Sequence, residues 1–460
     1  MEKNLKNITI AYIGGGSRGW AWRFMADLAL DGDICGTVRL YDIDQKAADA
    51  NAVIGGRISA NPGAKSRWVY ESVPSLQSAL SGADFVVISI LPGTFEEMRS
   101  DVHEPEKYGV YQSVGDTVGP GGFVRALRTI PMITEIANAV KEYCPKAWII
   151  NYTNPMSLSV AAIYSAFPKA RAFGCCHEVF HTQTLLMAML KKEHGITVEN
   201  RQDVHINVYG VNHFTWVDSA SFKGLDLMPL YADFADKYWA DGFLEDPDKT
   251  KDPVFVSANR VKFDLFRRFG VAGAAGDRHL AEFMPPWYLK NPETAAKWKF
   301  MLTPVSWRFA DLERRLARSQ RLASGAEEFP LVPSGEEGIL LMKALLGVRE
   351  FVSNVNIPNA GQIPNLPLGA VVETNALFRL DQIKPLIAGS LPGNIRPLIA
   401  RHADNQENTL KAALSFDFRL ALTTFLNDPL MCGVSETDGE TLLKTMMANT
   451  AKYLPKEWGV

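Results

Sequence analysis

Ile8-Thr9-Ile10-Ala11-Tyr12-Ile13-Gly14-Gly15-Gly16-Ser17-Arg18-Gly19 is the stretch on which the fold turns. Its first six residues, mostly β-branched or aromatic, predict a buried strand. Gly14, Gly16 and Gly19 then satisfy G-x-G-x-x-G at the strand's end, directly before a helical pattern over residues 17–30. Such a turn lets backbone approach a pyrophosphate closely and aims the free N–H groups of a helix N-terminus at it.

Outward from this turn, strand patterns at residues 38–41 and 85–90 and a helix pattern at 45–58 complete half of a doubly wound parallel sheet. A helix at 128–143, a strand at 147–152 and a short strand running into Gly174 extend it. Asp42 ends the second strand, where a carboxylate accepts from the adenosine ribose and repels a 2'-phosphate, so NAD is expected over NADP. The expected cofactor residues are Gly14, Gly15, Gly16, Ser17, Gly19 and Asp42. A glycine turn of another α/β protein, or a flavin or nucleotide-sugar site, is the alternative.

The chain has 460 residues, 47% of them hydrophobic, which suits two fused domains, set at residues 1–195 and 196–460. Residues 238–321 look mainly helical, and a strand is expected at 370–372. The formal charge of -3 gives no general pull toward nucleic acid or anionic membrane. Five sparse cysteines argue for reduced thiols and, with no signal-peptide pattern, for a cytoplasmic location. No apolar run is long enough to span a membrane.

Two segments end predicted strands where such sheets place ligands: Asn151-Tyr152-Thr153-Asn154-Pro155 and Gly174-Cys175-Cys176-His177-Glu178-Val179. A third, Gly210-Val211-Asn212-His213-Phe214, follows the strand that opens the second part. A thiolate and an imidazole from separate strands could hold a divalent ion with positions left for substrate oxygens. Singly, a cysteine is as readily a small core residue, and a histidine a satisfied structural one.

Gly14-Gly15-Gly16-Ser17, residues 151–155, Cys176-His177, Asn212-His213, Asn365-Leu366-Pro367 and Val371-Val372-Glu373, in this order over nearly the whole chain, resemble glycoside hydrolase family 4. The resemblance implies a Rossmann-like α/β fold akin to lactate and malate dehydrogenases, with a second α+β domain for substrate and oligomer contacts. It also implies NAD and a divalent metal, usually manganese. The chemistry is redox-neutral: hydride leaves sugar C3, a base takes the acidified C2 proton, the C1 group is eliminated, water adds and hydride returns. By position, Cys176 and His213 would hold the metal, Asn154 would bond the sugar near C3, and His177 would protonate the departing oxygen. Asp277, in Gly276-Asp277-Arg278-His279, matches the family's base, with a helix cap or an ion pair to Arg278 as the alternative. Asp116, in a glycine-rich loop at residues 113–122, resembles a substrate-contacting loop, with a solvated loop acid as the alternative. Cys175 is expected in the core, on the other face of the strand.

In this family, His after the metal-binding cysteine accompanies unphosphorylated α-linked sugars, and His177-Glu178-Val179 resembles the α-galacturonidase version. A uronate calls for a guanidinium; Arg278 is the expected ligand, with Arg308 and Arg314 also available. α-Glucuronides, α-galactosides, α-glucosides and 6-phosphoglucosides stay open. Glu178 could instead orient His177 or His213. The rival readings are a 2-hydroxy acid dehydrogenase making net NADH and a catalytically silent NAD-binding sensor. A homo-oligomer, dimer or tetramer, is expected.

Overall fold

Residues 6–245 and 253–459 are described, in a computed structural model of the chain. Strands β1 (Lys6–Ile13), β2 (Ile34–Tyr41), β3 (Trp68–Ser72), β4 (Phe85–Ile88), β5 (Trp148–Asn151) and β6 (Arg171–Gly174) run parallel in the order β3-β2-β1-β4-β5-β6. This is the Rossmann order, which reverses between β1 and β4 and opens a crevice at the carboxyl ends there. Alternation along β1 builds both cores. Ile8, Ile10 and Tyr12 pack with helix Trp20–Leu30, and Ala11 and Ile13 with helix Gly119–Tyr143.

The helix expected from residue 128 begins at Gly119. Its Gly-Pro-Gly-Gly start reads as a loop in sequence, but Pro120 lies in the first turn, where a missing N–H is no loss. β4 stops at Ile88, two residues before the expected end.

β7 (Val204–Val211), β8 (Phe214–Phe222), β9 (Leu225–Asp226) and β10 (Ala272–Gly273) form a separate antiparallel sheet. Helices Arg260–Phe269, Asp277–Glu282, Pro292–Lys297 and Val305–Ser324 occupy the stretch expected to be helical. β11 (Phe351–Pro358), β12 (Val371–Arg379) and β13 (Gln382–Pro385) do not make a third sheet. β11 joins β6 antiparallel, with Asn356 opposite Gly174, and the first sheet becomes nine-stranded and mixed instead of wholly parallel. Among the described residues no helix is long and apolar enough to cross a membrane.

Candidate functional site

At the end of β1 the glycine turn is closed by backbone bonds: the N–H groups of Gly14 and Gly15 both donate to the Tyr41 carbonyl at 2.9 Å. Gly14 has φ 90°, and a Cβ there would strike the Ser89 carbonyl. A Cβ on Gly16 would lie 2.7 Å from Ala47 Cβ and 2.9 Å from Asp42 Oδ2. Asp42 accepts from Gly16 N–H at 2.9 Å and from Asp44 N–H at 2.9 Å, so it braces the turn, while each oxygen keeps a further lone pair for a ribose hydroxyl. Gly19 meets the Arg315 guanidinium. The fully buried Asn51 was missed by the sequence reading; its amide donates to the carbonyls of Gly15 (2.7 Å) and Ser17 (3.0 Å).

Across the crevice, β6 delivers Cys176, and Asn212 and His213 form the two-residue turn between β7 and β8. His213 has φ 65°, a left-handed conformation costing a non-glycine residue about 1–2 kcal/mol, which commonly marks a functional position. Cys176 Sγ lies 3.3 Å from His213 Nε2. The Thr117 hydroxyl donates to Asp116 Oδ1 (2.6 Å) and also sits 2.9 Å from His213 Nδ1. A hydroxyl has one proton, so Nδ1–H donates to Thr117 and Nε2 keeps its lone pair toward Cys176. Burial and the neighbouring His279 push the His213 pKa down to about 3, which keeps the ring neutral. Burial, Glu373 and Glu178 hold the Cys176 thiol well above its usual range. Cys175 is packed in the core beside Ile150 and Phe173, as expected.

Asp116 accepts from Asn154 Nδ2 at 3.3 Å, and Asn154 Oδ1 is buried without a partner among the described residues. Burial opposes the Asp116 charge, but Arg125, His279 and His213 outweigh it and lower the pKa to about 2. The loop carrying Asp116 is held by Glu282, which accepts from the N–H groups of Val114 (2.6 Å) and Gly115 (2.9 Å). Gln112 pins it from behind, donating to the Asp101 carbonyl at 2.8 Å and accepting from Gly121 N–H at 2.9 Å.

His177 stands at the mouth, its Nδ1 2.9 Å from Glu336 Oε1. Burial works against its charge, but the bond to Glu336 and the fields of Glu336 and Glu178 prevail and its pKa is raised. Glu178 lies 3.9–4.0 Å from His177, His181 and His279 and also accepts from Gly276 N–H at 2.9 Å. Although burial opposes it, these imidazoles hold its carboxyl well below the usual range.

The profile of the family 4 glycosyl hydrolases matches residues 9–192, and that of their C-terminal domain matches residues 208–431. The chain belongs to glycosyl hydrolase family 4. It is 58% identical over 455 residues to an alpha-galacturonidase of Thermoanaerobacterium saccharolyticum, covering 98% of each chain. The crystal structure of lplD from Bacillus subtilis superposes with a TM-score of 0.92 at 49% identity, covering 96% of this chain and 100% of that one. A 6-phospho-alpha-glucosidase from gut microorganisms, in complex with NAD and Mn2+, shares the fold with a TM-score of 0.83 at 19% identity, covering 98% and 99% of the two chains.

Within this family 4 enzyme, Asp277 takes the helix-cap place that was its alternative, and Arg278 is bonded to protein groups. Asp277 is wholly buried and accepts from Lys262 N–H at 3.1 Å and from the N–H groups of Val261 and Arg260, so it caps helix Arg260–Phe269. Burial raises its pKa to about 6 against the opposing pull of Lys262 and these donors, and Oδ2 has no partner among the described residues. The residue of that segment that reaches the ligand cluster is His279, missed in the sequence. Its ring lies 3.8 Å from that of His213, and Asp116, His213 and His279 offer ligand atoms within 4.8 Å of one another. Arg278 donates to the carbonyl of Ser113 at 2.7 Å and to Thr303, which ties it to the Asp116 loop.

His177-Glu178-Val179-Phe180-His181 reads H-E-x-x-H, which corrects the expectation that the chain carries no such motif. Among the described residues, however, the ligand group converges on His213, not on a His177/His181 pair.

Proposed function

We propose that this family 4 glycosyl hydrolase cleaves α-linked galacturonides with NAD and Mn2+. The observation that carries the reading is the pairing of Cys176 Sγ with an unprotonated His213 Nε2 at 3.3 Å, opposite the Gly14–Gly16 turn, in a chain 58% identical to an alpha-galacturonidase. The donor set fits a divalent ion: a sulfur, a neutral imidazole whose other nitrogen is already bonded, and the nearby oxygen and nitrogen of Asp116 and His279. The glycine turn fits a dinucleotide, since backbone occupies the room side chains would take. When bound, NAD supplies a reversible hydride acceptor and the ion a Lewis acid for sugar oxygens.

The residues divide the remaining work. Asn154, held by Asp116, presents its unpartnered Oδ1 to a sugar hydroxyl near C3. His177, whose protonated form is favoured by Glu336, gives its proton to the departing C1 oxygen. Asp277 is the base for the C2 proton in one reading, supported by a pKa near 6 and the free Oδ2. The orientation of His279 toward Asp116 and His213 favours a second reading in which its imidazole stays outside the ion's coordination and takes that proton. Exchange of the C2 hydrogen with solvent deuterium separates them: it is lost in Asp277→Asn or in His279→Gln, whichever residue carries the base.

Residues 1–195 hold the nucleotide and residues 196–460 complete the substrate side, a division of labour across one shared sheet. Unpaired cysteines support a reducing, cytoplasmic setting. Exposed Phe255, Trp287 and Met301 support association into a dimer or tetramer.

The test is release of aglycone from 4-nitrophenyl α-D-galacturonide with NAD, Mn2+ and a thiol reductant, while NADH absorbance is followed. Release needing both additions without net NADH is the expected outcome. Net NADH would make the protein a dehydrogenase, and release unaffected by chelation and NAD removal would refute the mechanism.

A further inference from the structure

A uronide differs from its neutral sugar only at C6, where a carboxylate replaces a hydroxymethyl group, so its recognition needs a cation with unspent donors. Three arginines were open to this role by sequence, and their surroundings separate them. Arg314 is mostly exposed and pairs with Asp311 at 3.2 Å. Arg278 spends Nη2 on the Ser113 carbonyl and on Thr303. Arg308 makes no hydrogen bond or ion pair among the described residues, and its Nε is shielded from solvent without a partner.

Arg308 lies in the first turn of helix Val305–Ser324, with its guanidinium 5.2 Å from the Trp307 ring and 5.6 Å from that of Phe255. Stacking orients the planar group but satisfies none of its N–H donors. The charge that acts on it most strongly is Asp116, which is bonded to Asn154 and grouped with His213 and His279. Arg278, tied to the Asp116 loop through the Ser113 carbonyl, stacks on the same Phe255 ring at 5.3 Å, so Arg308 stands beside that loop.

Asp311, the nearest acid on the same helix, is spent on Arg314 (3.2 Å) and Arg315 (2.6 Å), so it leaves the Arg308 guanidinium without an ion-pair partner among the described residues.

We propose that Arg308 is the specificity-determining residue that holds the C6 carboxylate of the substrate, and this rests on the galacturonide reading above. A guanidinium meets a carboxylate in a two-point fork that a hydroxymethyl group cannot reproduce. A neutral sugar leaves the shielded guanidinium unpaired, which penalises binding and sharpens discrimination.

The experiment compares the wild type, Arg308→Met and Arg308→Lys, loaded with NAD and Mn2+, on 4-nitrophenyl α-D-galacturonide and α-D-galactoside. Calorimetric titration with D-galacturonate, D-galactose and NAD accompanies it. From charged hydrogen bonds of ordinary strength, Arg308→Met is expected to lower kcat/KM for the galacturonide by about 10- to 100-fold. D-Galacturonate affinity falls alongside, galactoside turnover and NAD affinity stay as in wild type, and Arg308→Lys falls between. Wild-type cleavage of the galacturonide with the same preference and product affinity in both variants overturns the clamp alone. Weakened NAD binding makes Arg308 a cofactor contact and also overturns it. A wild type that cleaves no galacturonide overturns the underlying reading and the clamp together.

Discussion

Glu282→Gln isolates the consequence of one buried acid. Oε1 accepts from the N–H groups of Val114 and Gly115, Oε2 has no partner among the described residues, and the side chain is fully buried. Burial is the largest influence, and with the field of Asp116 it outweighs the backbone donors and Arg278, so the pKa rises from 4.5 to about 8. In the unfolded chain the group ionises near the lower value; the native state keeps a proton that the unfolded state releases. Its contribution to stability is thus complete below about pH 4.5 and is lost progressively as the pH climbs to about 8. At about 1.4 kcal/mol per pH unit, the loss by pH 7 is on the order of 3 kcal/mol. Glutamine keeps the acceptor for Val114 and Gly115 and cannot ionise. Thermal unfolding of both proteins from pH 5 to 8 is expected to show Glu282→Gln gaining on the wild type as pH rises. A gap that stays constant with pH, or that turns against the glutamine variant toward pH 8, would refute the reasoning.

Gly16→Ala places a Cβ 2.7 Å from Ala47 Cβ and 2.9 Å from Asp42 Oδ2, so the turn must open. The cost is about 1–3 kcal/mol, and titration calorimetry should show NAD affinity down by roughly tenfold or more; unchanged affinity removes this turn from the nucleotide site. Because the His177 pKa is raised above 6.5 and the protonated ring is the donor, the alkaline limb of kcat/KM lies above pH 6.5. Glu336→Gln keeps an acceptor for Nδ1–H but removes the negative charge that favours the protonated ring, and so moves the limb to lower pH, whereas a limb that stays in place assigns it to another group. Glu373 accepts from the buried amides of Asn212 (3.1 Å) and Asn354 (2.6 Å), and Asn354 also donates to the Cys176 carbonyl at 3.3 Å. Glu373→Ala takes the carboxylate partner from both amides, leaves Asn354 only the Cys176 carbonyl, and should destabilise the fold by about 2–4 kcal/mol, read by denaturation, and weaken Mn2+ retention, read by electron paramagnetic resonance.

The parts of the site that were legible in the sequence are those where function requires a local pattern. The β1 turn declares itself because strand, glycines and helix are contiguous and each glycine answers a steric need within a few residues. Cys176 and His213 stood out because each follows a strand end. His279 did not, although it lies two positions from Asp277. In helix Asp277–Glu282 each residue turns about 100° around the axis, so positions two apart face opposite sides, and sequence spacing cannot say which side meets His213. Arg308 was one of many arginines until its lack of a partner could be seen.

By itself, then, the sequence determined the nucleotide half of the fold and the family, and it singled out Cys176 and His213 as a candidate pair, because short-range periodicity and turn chemistry are written in adjacent residues. The tertiary structure decided that β11 would dock antiparallel on β6, that Thr117 would hold His213 in the tautomer with a free Nε2, that Asp277 would cap a helix, that His279 would lie against His213, and that Arg308 Nε would be buried without a partner among the described residues. Each of those outcomes depends on which distant surfaces are brought together and which donors are already spent when they meet, and neither quantity has a local signature along the chain.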